Sequence, residues 1–147
     1  MTVEKRGRRR RGNASIELAL TATFMITAMF GIIDFGRMFG VASAVSSAAR
    51  AGTMYGSQDV ARSSDFNGMQ TAAKNDGQNV QGMTATATQF CTCSLGGAQQ
   101  SCSVTCSSGV KRTYVKVVVG QTFSTAFQYP LVPQSTNLSS TSIVRIQ

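Results

Sequence analysis

Histidine and tryptophan are absent from this 147-residue chain, and acidic residues are scarce, with six in all. The lack of histidine removes the commonest general base and the commonest metal ligand. The sequence also offers no nucleophile–base pair, no glycine-rich phosphate loop and no CxxC redox motif. We therefore predict that the protein is not an enzyme and that it has no catalytic residues, no cofactor and no small-molecule substrate.

Basic residues are concentrated at the N-terminus. Residues 1–12 hold six basic residues and one acid, which gives +5, whereas the other 135 residues hold eight and five, which gives +3. The excess of cations thus belongs to one short segment rather than to a basic globular domain. An arginine-rich arm for nucleic acid is one interpretation, but no aromatic residues are interleaved and an apolar stretch follows directly. We therefore expect no nucleic-acid partner.

The apolar stretch after the arginines is long enough to cross a membrane. Residues 13–33 contain no proline and one charge, Glu17, and a bilayer core requires about 20 helical residues at roughly 1.5 Å each. Cations on the N-terminal flank predict a cytoplasmic N-terminus and an exported C-terminal part. A cleaved secretory signal with its cut at residues 42–44 fits less well, because Asp34 and Arg37 separate that site from the apolar run. A soluble buried helix fits less well still, given the adjacent arginines.

The helix is predicted to continue beyond the membrane, because residues 35–55 contain no proline and repeat apolar or small residues at helical spacing. Six small residues recur every four positions and therefore share one slowly drifting face of the helix. Small residues on such a face allow another helix to approach closely, although a high frequency of alanine and glycine gives the same pattern by itself. The six residues are Gly36, Gly40, Ala44, Ala48, Gly52 and Gly56.

Beyond the long helix the composition becomes polar and then typical of β-strands. In the polar part we predict one short amphipathic helix over residues 59–75, ended by Gly77. Its inward side chains are expected to be Val60, Phe66, Met69 and Ala73. From residue 83 onward the pattern favours three to five antiparallel strands packed on the long helix, so the predicted fold class is α+β. The predicted organisation is a basic leader (1–12), a transmembrane and extended helix (13–56), a polar linker (57–82) and a disulfide-stapled β-rich domain (83–147).

The four cysteines all lie between positions 91 and 106. In an exported domain with a small core, two disulfides are the expected staples. Four cysteines allow three pairings. The Cys91–Cys93 pair is sterically poor, and in a hairpin turning at residues 96–97 the nested pairs Cys93–Cys102 and Cys91–Cys106 fit best. A four-thiolate zinc site is the alternative, since CxC and CxxxC spacings both ligate zinc.

The chain resembles TadE-like proteins, the pseudopilin-type components of the tight-adherence (Flp) pilus assembly system. The N-terminal resemblance rests on a basic leader ending in glycine, a glutamate five residues later, an apolar helix, the run DFGR and the segment AARAG. The C-terminal resemblance rests on the pair CTC, the strand YVKVVV, the turn PLVP and the closing residues IVRIQ. The threonine-rich span and the segment QTFSTAFQYPLVP depart from the usual family pattern and leave the subtype open.

The resemblance implies processing of the leader. A membrane-embedded aspartyl prepilin peptidase would cut after Gly12, where glycine permits an extended, accessible backbone, and Asn13 would become the new N-terminus. Glu17 would then be the fifth mature residue, paired with the freed α-amine of Asn13 on its own or a neighbouring subunit, because an unpartnered carboxylate in a membrane helix is costly. From the residues alone, the alternative is an interfacial Glu17 that is solvated or paired with Arg11.

The resemblance also implies a location and partners. It places the chain in the bacterial inner membrane, with a cytoplasmic N-terminus and a periplasmic or extracellular C-terminal domain. The expected partners are the inner membrane, the prepilin peptidase and other subunits of the tight-adherence machinery. Asp34 and Arg37 lie three residues apart and are expected to form a salt bridge at the outer membrane edge. An uncleaved single-pass protein presenting a small disulfide-bonded domain is the alternative.

Overall fold

The computed structural model describes residues 8–107, 109–129 and 131–146, with residues 8–13 described for their backbone alone. The helices are α1 (Arg8–Gly56) and α2 (Phe66–Asp76), with a 3-10 turn at Arg62–Ser64 between them. The strands are β1 (Thr84–Thr92), β2 (Arg112–Ser124) and β3 (Ser135–Arg145). The predicted α+β class is confirmed: a long N-terminal helix, a short second helix and, within the described ranges, three antiparallel strands.

The sheet has the order β1-β2-β3, so that β2 is its central strand. Val117 in β2 pairs with Ala87 on one side and with Ser142 on the other. Successive strand residues point to opposite faces, and the alternate residues Val115, Val117 and Val119 are fully buried. These β-branched side chains form the sheet's part of the core.

The chain divides into two compact units, of which the first ends at Arg37 and the second begins at Met38. The second unit contains the C-terminal part of α1 together with α2 and the sheet. Its core combines small residues of the helices with valines of the sheet: Val45, Ala48, Ala49, Met69, Ala73, Ala87, Val115, Val117 and Val119. Because most of these side chains are small, the elements approach closely while the apolar area they bury is modest.

Helix α2 begins later than the sequence suggested. Asp65 is its N-cap, with Oδ1 accepting a hydrogen bond from the backbone N–H of Gly68 at 2.9 Å. The preceding residues form a turn in which Asp59 Oδ1 accepts from the backbone N–H of Arg62. Short acidic side chains bond nearby backbone groups in this way and so compete with helix formation. As predicted, Gly77 follows the last residue of α2 and caps it.

The later start of α2 changes which side chains face inward. Met69 and Ala73 are fully buried, as predicted. Val60 lies outside the helix and is 65% exposed, and Phe66 at its first position is 38% exposed. The prediction that these two residues face inward was therefore wrong, because the Asp65 cap sets the helix start and with it the inward face.

Candidate membrane-spanning and assembly segment

The N-terminal part of α1 presents large apolar side chains on all sides. From Ile16 to Phe39, the exposed large hydrophobic residues have between 39% and 73% of their surface accessible. By length and composition, the part of the helix whose side chains are described, Ala14–Gly56, could cross a membrane. A helix that is hydrophobic all round requires an apolar environment, so this segment is suited to act as a membrane anchor.

Three threonines interrupt the apolar composition of the segment without leaving their hydroxyl groups unpaired. Thr21, Thr23 and Thr27 each donate a hydrogen bond from Oγ1 to the backbone carbonyl four residues earlier, at 2.8 to 2.9 Å. A polar group in hydrocarbon is costly unless it is bonded within the protein. The departure from the usual apolar composition is therefore compatible with lipid around the helix.

The predicted processing site lies near the start of the described helix. Residues 1–7 of the predicted leader are outside the described residues, and α1 begins at Arg8. The backbone of Gly12 and Asn13 is therefore helical, and the expectation of an extended backbone at Gly12 was wrong. Arginine is a good helix former, which favours extension of the helix back into the leader.

Glu17 lies one helical turn after Asn13 and is exposed. Its backbone carbonyl accepts the hydrogen bond from Thr21. Residues four apart in a helix are neighbours, with about 5–6 Å between their Cβ atoms. The helix thus places Glu17 one turn from the start of the predicted mature chain. The side chain of Arg11, the alternative partner, is outside what the structure describes.

Asp34 and Arg37 form an ion pair on α1. The Arg37 Nη1 atom donates to Asp34 Oδ1 at 2.6 Å, across the three-residue separation noted in the sequence. The Asp34 side chain is only 6% exposed, whereas that of Arg37 is 50% exposed. A charge-assisted hydrogen bond of this length compensates a carboxylate that has little access to water.

The small-residue face of α1 divides into two parts with different surroundings. A Cβ added at Gly52 would approach the Met69 carbonyl oxygen and Val117 Cγ1 to 3.0 Å, and one at Gly56 would crowd the Met69 side chain. A Cβ added at Gly36 or Gly40 would meet nothing within 4 Å. The C-terminal small residues therefore pack on α2 and β2 of the same chain.

Ala44 and Ala48, the other two residues of the small-residue face, lie between these two parts. Ala48 is fully buried in the core, and Ala44 is half-buried. Open space beside Gly36 and Gly40 is the geometry that a close contact with a second helix requires. A role for this N-terminal part in packing against other subunits remains a prediction.

The cysteines form two disulfides, as predicted, but the predicted nested pairing was wrong. The bonds join Cys91 to Cys102 and Cys93 to Cys106. All four thiols are used, so the zinc alternative is excluded. Within the described ranges, no group of three or more His, Cys, Asp or Glu side chains is placed to hold a metal ion.

Backbone pairing explains the observed connectivity. The chain does turn at residues 94–97, where Gly97 donates to the Ser94 carbonyl. It then pairs with β1 only once, through two reciprocal hydrogen bonds of 2.9 Å between Cys91 and Gln100. Cys102 follows two residues later and meets Cys91. The assumed hairpin requires further pairing beyond this bridge, and the chain turns away instead.

One link between the helices was not anticipated from the sequence. Tyr55 Oη donates to Asp65 Oδ2 at 2.9 Å, and the Arg62 guanidinium lies 5.0 Å from the centre of the Tyr55 ring. The hydrogen bond from the Gly68 N–H, followed by that from Tyr55, lowers the pKa of Asp65 below its ordinary value of 3.8. The Asp-x-x-Gly spacing at the helix start was the available signal for the cap; nothing local in the sequence pointed to Tyr55.

Comparison with known proteins gives a match in the N-terminal helix. The family model described as TadE-like protein matches residues 12–53. No curated protein and no solved structure matches the chain. The match begins at Gly12 and includes Glu17, the Asp34–Arg37 pair and most of the small-residue face. The resemblance expected from the sequence is thereby confirmed for residues 12–53, which form most of the long apolar helix.

Proposed function

We propose that this chain is a membrane-anchored, pseudopilin-like subunit for assembly of the tight-adherence (Flp) pilus, with a structural rather than an enzymatic role. The observation that carries the proposal is the position of the family match, which starts at Gly12 and runs along the exposed apolar part of α1. In this proposal the helix spans the bacterial inner membrane and the disulfide-bonded unit lies on the periplasmic or extracellular side.

The proposal includes removal of residues 1–12 by a prepilin peptidase. Cleavage after Gly12 would create a positive α-amine at Asn13, one helical turn from the Glu17 carboxylate. An opposite charge so close attracts the carboxylate and lowers the cost of placing it at the membrane. Processing would thus supply the partner that Glu17 needs for packing, within its own subunit or in a neighbour.

The intact mass of the full chain tests processing. We expect loss of Met1 to Gly12 when the chain is expressed with its cognate prepilin peptidase, and retention of the leader without the enzyme. The variant Gly12→Leu should remain uncleaved, whereas Gly7→Leu, at the other leader glycine, should be cleaved like the native chain. Retention of the leader in both strains would support the uncleaved single-pass alternative instead.

Replacement of Glu17 tests the assembly role separately. We expect Glu17→Leu and Glu17→Gln to be cleaved and inserted normally but to reduce the number of assembled pili, because both remove the charge. The matched control is Thr21→Val, one turn further along the same face of the helix. Native pilus numbers in both Glu17 variants would remove this role.

A further inference from the structure

The β2–β3 connection, residues 125–134, carries exposed apolar side chains and no charge. Phe127 is 47% exposed, Val132 is 51% exposed and Leu131 is fully exposed. Leu131 also has a φ of 70°, a left-handed conformation that is rare for a bulky L-residue. Such conformations are concentrated at functional sites, where the surroundings hold a side chain in an unusual direction.

Contacts within the second unit show toward which end of its α1 segment the β2–β3 connection lies. A Cβ at Gly52 would touch Val117, near the middle of β2. Gly77 lies between Ala48 and Met83, and Met83 leads directly into β1. The first residue of β1, Thr84, pairs with Gly120 of β2. Residue 52 of α1 thus lies near residue 117 of β2, and residue 48 lies near residue 120. Residue numbers fall along α1 as they rise along β2, so the two elements are antiparallel.

The lengths of α1 and β2 place the β2–β3 connection near the start of the second unit. From Val117 to Ser124, β2 extends for about 23 Å at roughly 3.3 Å per residue. From Gly52 back to Met38, α1 extends for about 21 Å at roughly 1.5 Å per residue. The β2–β3 connection thus lies toward the end of the second unit at which the chain enters it, directly after the apolar part of α1.

Charge is distributed along the sheet in the opposite way. Residues 77–147 contain no Asp or Glu and four cations. Arg112 and Arg145 lie toward the other end of the sheet, where they pair with Thr92 and Tyr114. Lys111 directly precedes β2 at the same end. Lys116 lies beside Val117 near the middle of β2 and pairs with Thr88. Charged side chains are costly near hydrocarbon, whereas apolar and aromatic ones favour the interfacial region. The part of the sheet between Val117 and the β2–β3 connection therefore carries no charged side chain.

We infer that the connection between β2 and β3 dips into the lipid interface on the outer side of the membrane that α1 spans, through Phe127, Leu131 and Val132. The inference rests on α1 acting as the membrane anchor, but not on pilus assembly or leader processing. The occupant of this apolar surface is the region between lipid headgroups and acyl chains.

The absence of tryptophan from the chain permits a direct test with single-tryptophan variants of the full protein in phosphatidylcholine vesicles. We expect Leu131→Trp, and the independent variant Val132→Trp, to emit at shorter wavelength than an exposed indole. Both should lose most of their fluorescence when the vesicles contain phosphatidylcholine brominated on the upper part of its acyl chains. The matched control is Leu95→Trp, an apolar position 76% exposed in the disulfide region at the cationic end of the sheet, which should remain unquenched.

Phe24→Trp separates failure of the lipid contact from failure of the anchor. Because Phe24 lies near the middle of the predicted span, this variant is measured in vesicles brominated near the ends of the acyl chains. The lipid contact would be overturned if Phe24→Trp were quenched while Leu131→Trp and Val132→Trp were quenched no more than Leu95→Trp. The anchor would remain intact in that case. Short-wavelength emission from both loop variants without bromolipid quenching would also overturn it, because the loop would then pack against protein. An unquenched Phe24→Trp would remove the anchor and, with it, both the inference and the proposed function.

Discussion

The two units of the chain use apolar residues in opposite ways. In the first unit α1 carries large side chains such as Phe24 and Ile32, both 73% exposed. In the second unit the same helix carries Val45, Ala48 and Ala49, which are fully buried. The size of the apolar residues, rather than their number, changes along α1. Large side chains are exposed where the helix is suited to lipid, and small ones are buried where it packs on its own sheet.

Reduction of the disulfides is expected to give the largest effect, and to destabilise the second unit without affecting the first. They close short loops, with sequence separations of 11 and 13 residues, and loss of each should lower the free energy of unfolding of the second unit by roughly 2–4 kcal/mol. Thermal unfolding with and without reductant measures this change. Flotation with vesicles should show that membrane association of the first unit is unaffected by reduction.

Paired cysteine substitutions test the observed connectivity in the same assay. Replacing Cys91 and Cys102 together by alanine should leave one native disulfide, as should replacing Cys93 and Cys106 together. Replacing Cys93 and Cys102 leaves two cysteines that are not partners, and this variant should be the least stable of the three. Full stability of that variant, with a Cys91–Cys106 bond found by peptide mapping, would contradict the structure.

Overpacking of the small-residue face should give the next largest effect. Gly52→Val places carbon atoms against the Met69 carbonyl and Val117, so we expect a loss of about 1–3 kcal/mol of stability in thermal unfolding. Gly40→Val makes the same chemical change where a Cβ meets no neighbour and should leave stability unchanged or slightly higher. Equal destabilisation by the two variants would contradict the division of this face.

Replacing Leu131, which has a left-handed backbone conformation, by glycine should change the stability of the second unit by a smaller amount and should raise it. An L-residue in this conformation costs roughly 1–2 kcal/mol, and glycine avoids most of that cost while losing more chain entropy. We therefore expect Leu131→Gly to raise the stability of the second unit by up to about 1 kcal/mol in detergent. Gly96→Ala, at a φ of 72° with open space around it, is the reverse substitution and should lower stability by a similar amount.

The helix cap at Asp65 should give the smallest effect and one that depends on pH. Because the folded state lowers the pKa of Asp65, its contribution to stability is fully present above its ordinary value of 3.8 and is lost as the pH falls through the lower folded pKa. Asp65→Ala should reduce the unfolding midpoint at neutral pH and flatten its decline in acid. Asp65→Asn should retain most of the cap but show the same flattened acid response, which unfolding midpoints across the acid range would reveal.

Local periodicity was sufficient to predict the main elements of the fold. The change from helical to alternating spacing predicted α1 and the sheet, because each pattern must place its apolar residues on one face. The start of α2 was missed because the Asp65 cap depends on a single side chain. The burial of Gly52 and Gly56 was also not predictable locally, since their neighbour Met69 is supplied by another helix.

The sequence by itself determined the apolar helix with its basic N-terminal flank and the α+β class, because hydrophobic periodicity and length are local properties. The motifs at its N-terminus also determined the resemblance of residues 12–53 to TadE-like proteins. Only the tertiary structure decided the disulfide pairing, the two surroundings of the small-residue face and the end of the unit at which the β2–β3 connection lies. These depend on pairing between distant residues, such as Cys91 with Gln100 and Val117 with Ser142. A spacing along the chain limits such contacts but does not select among them.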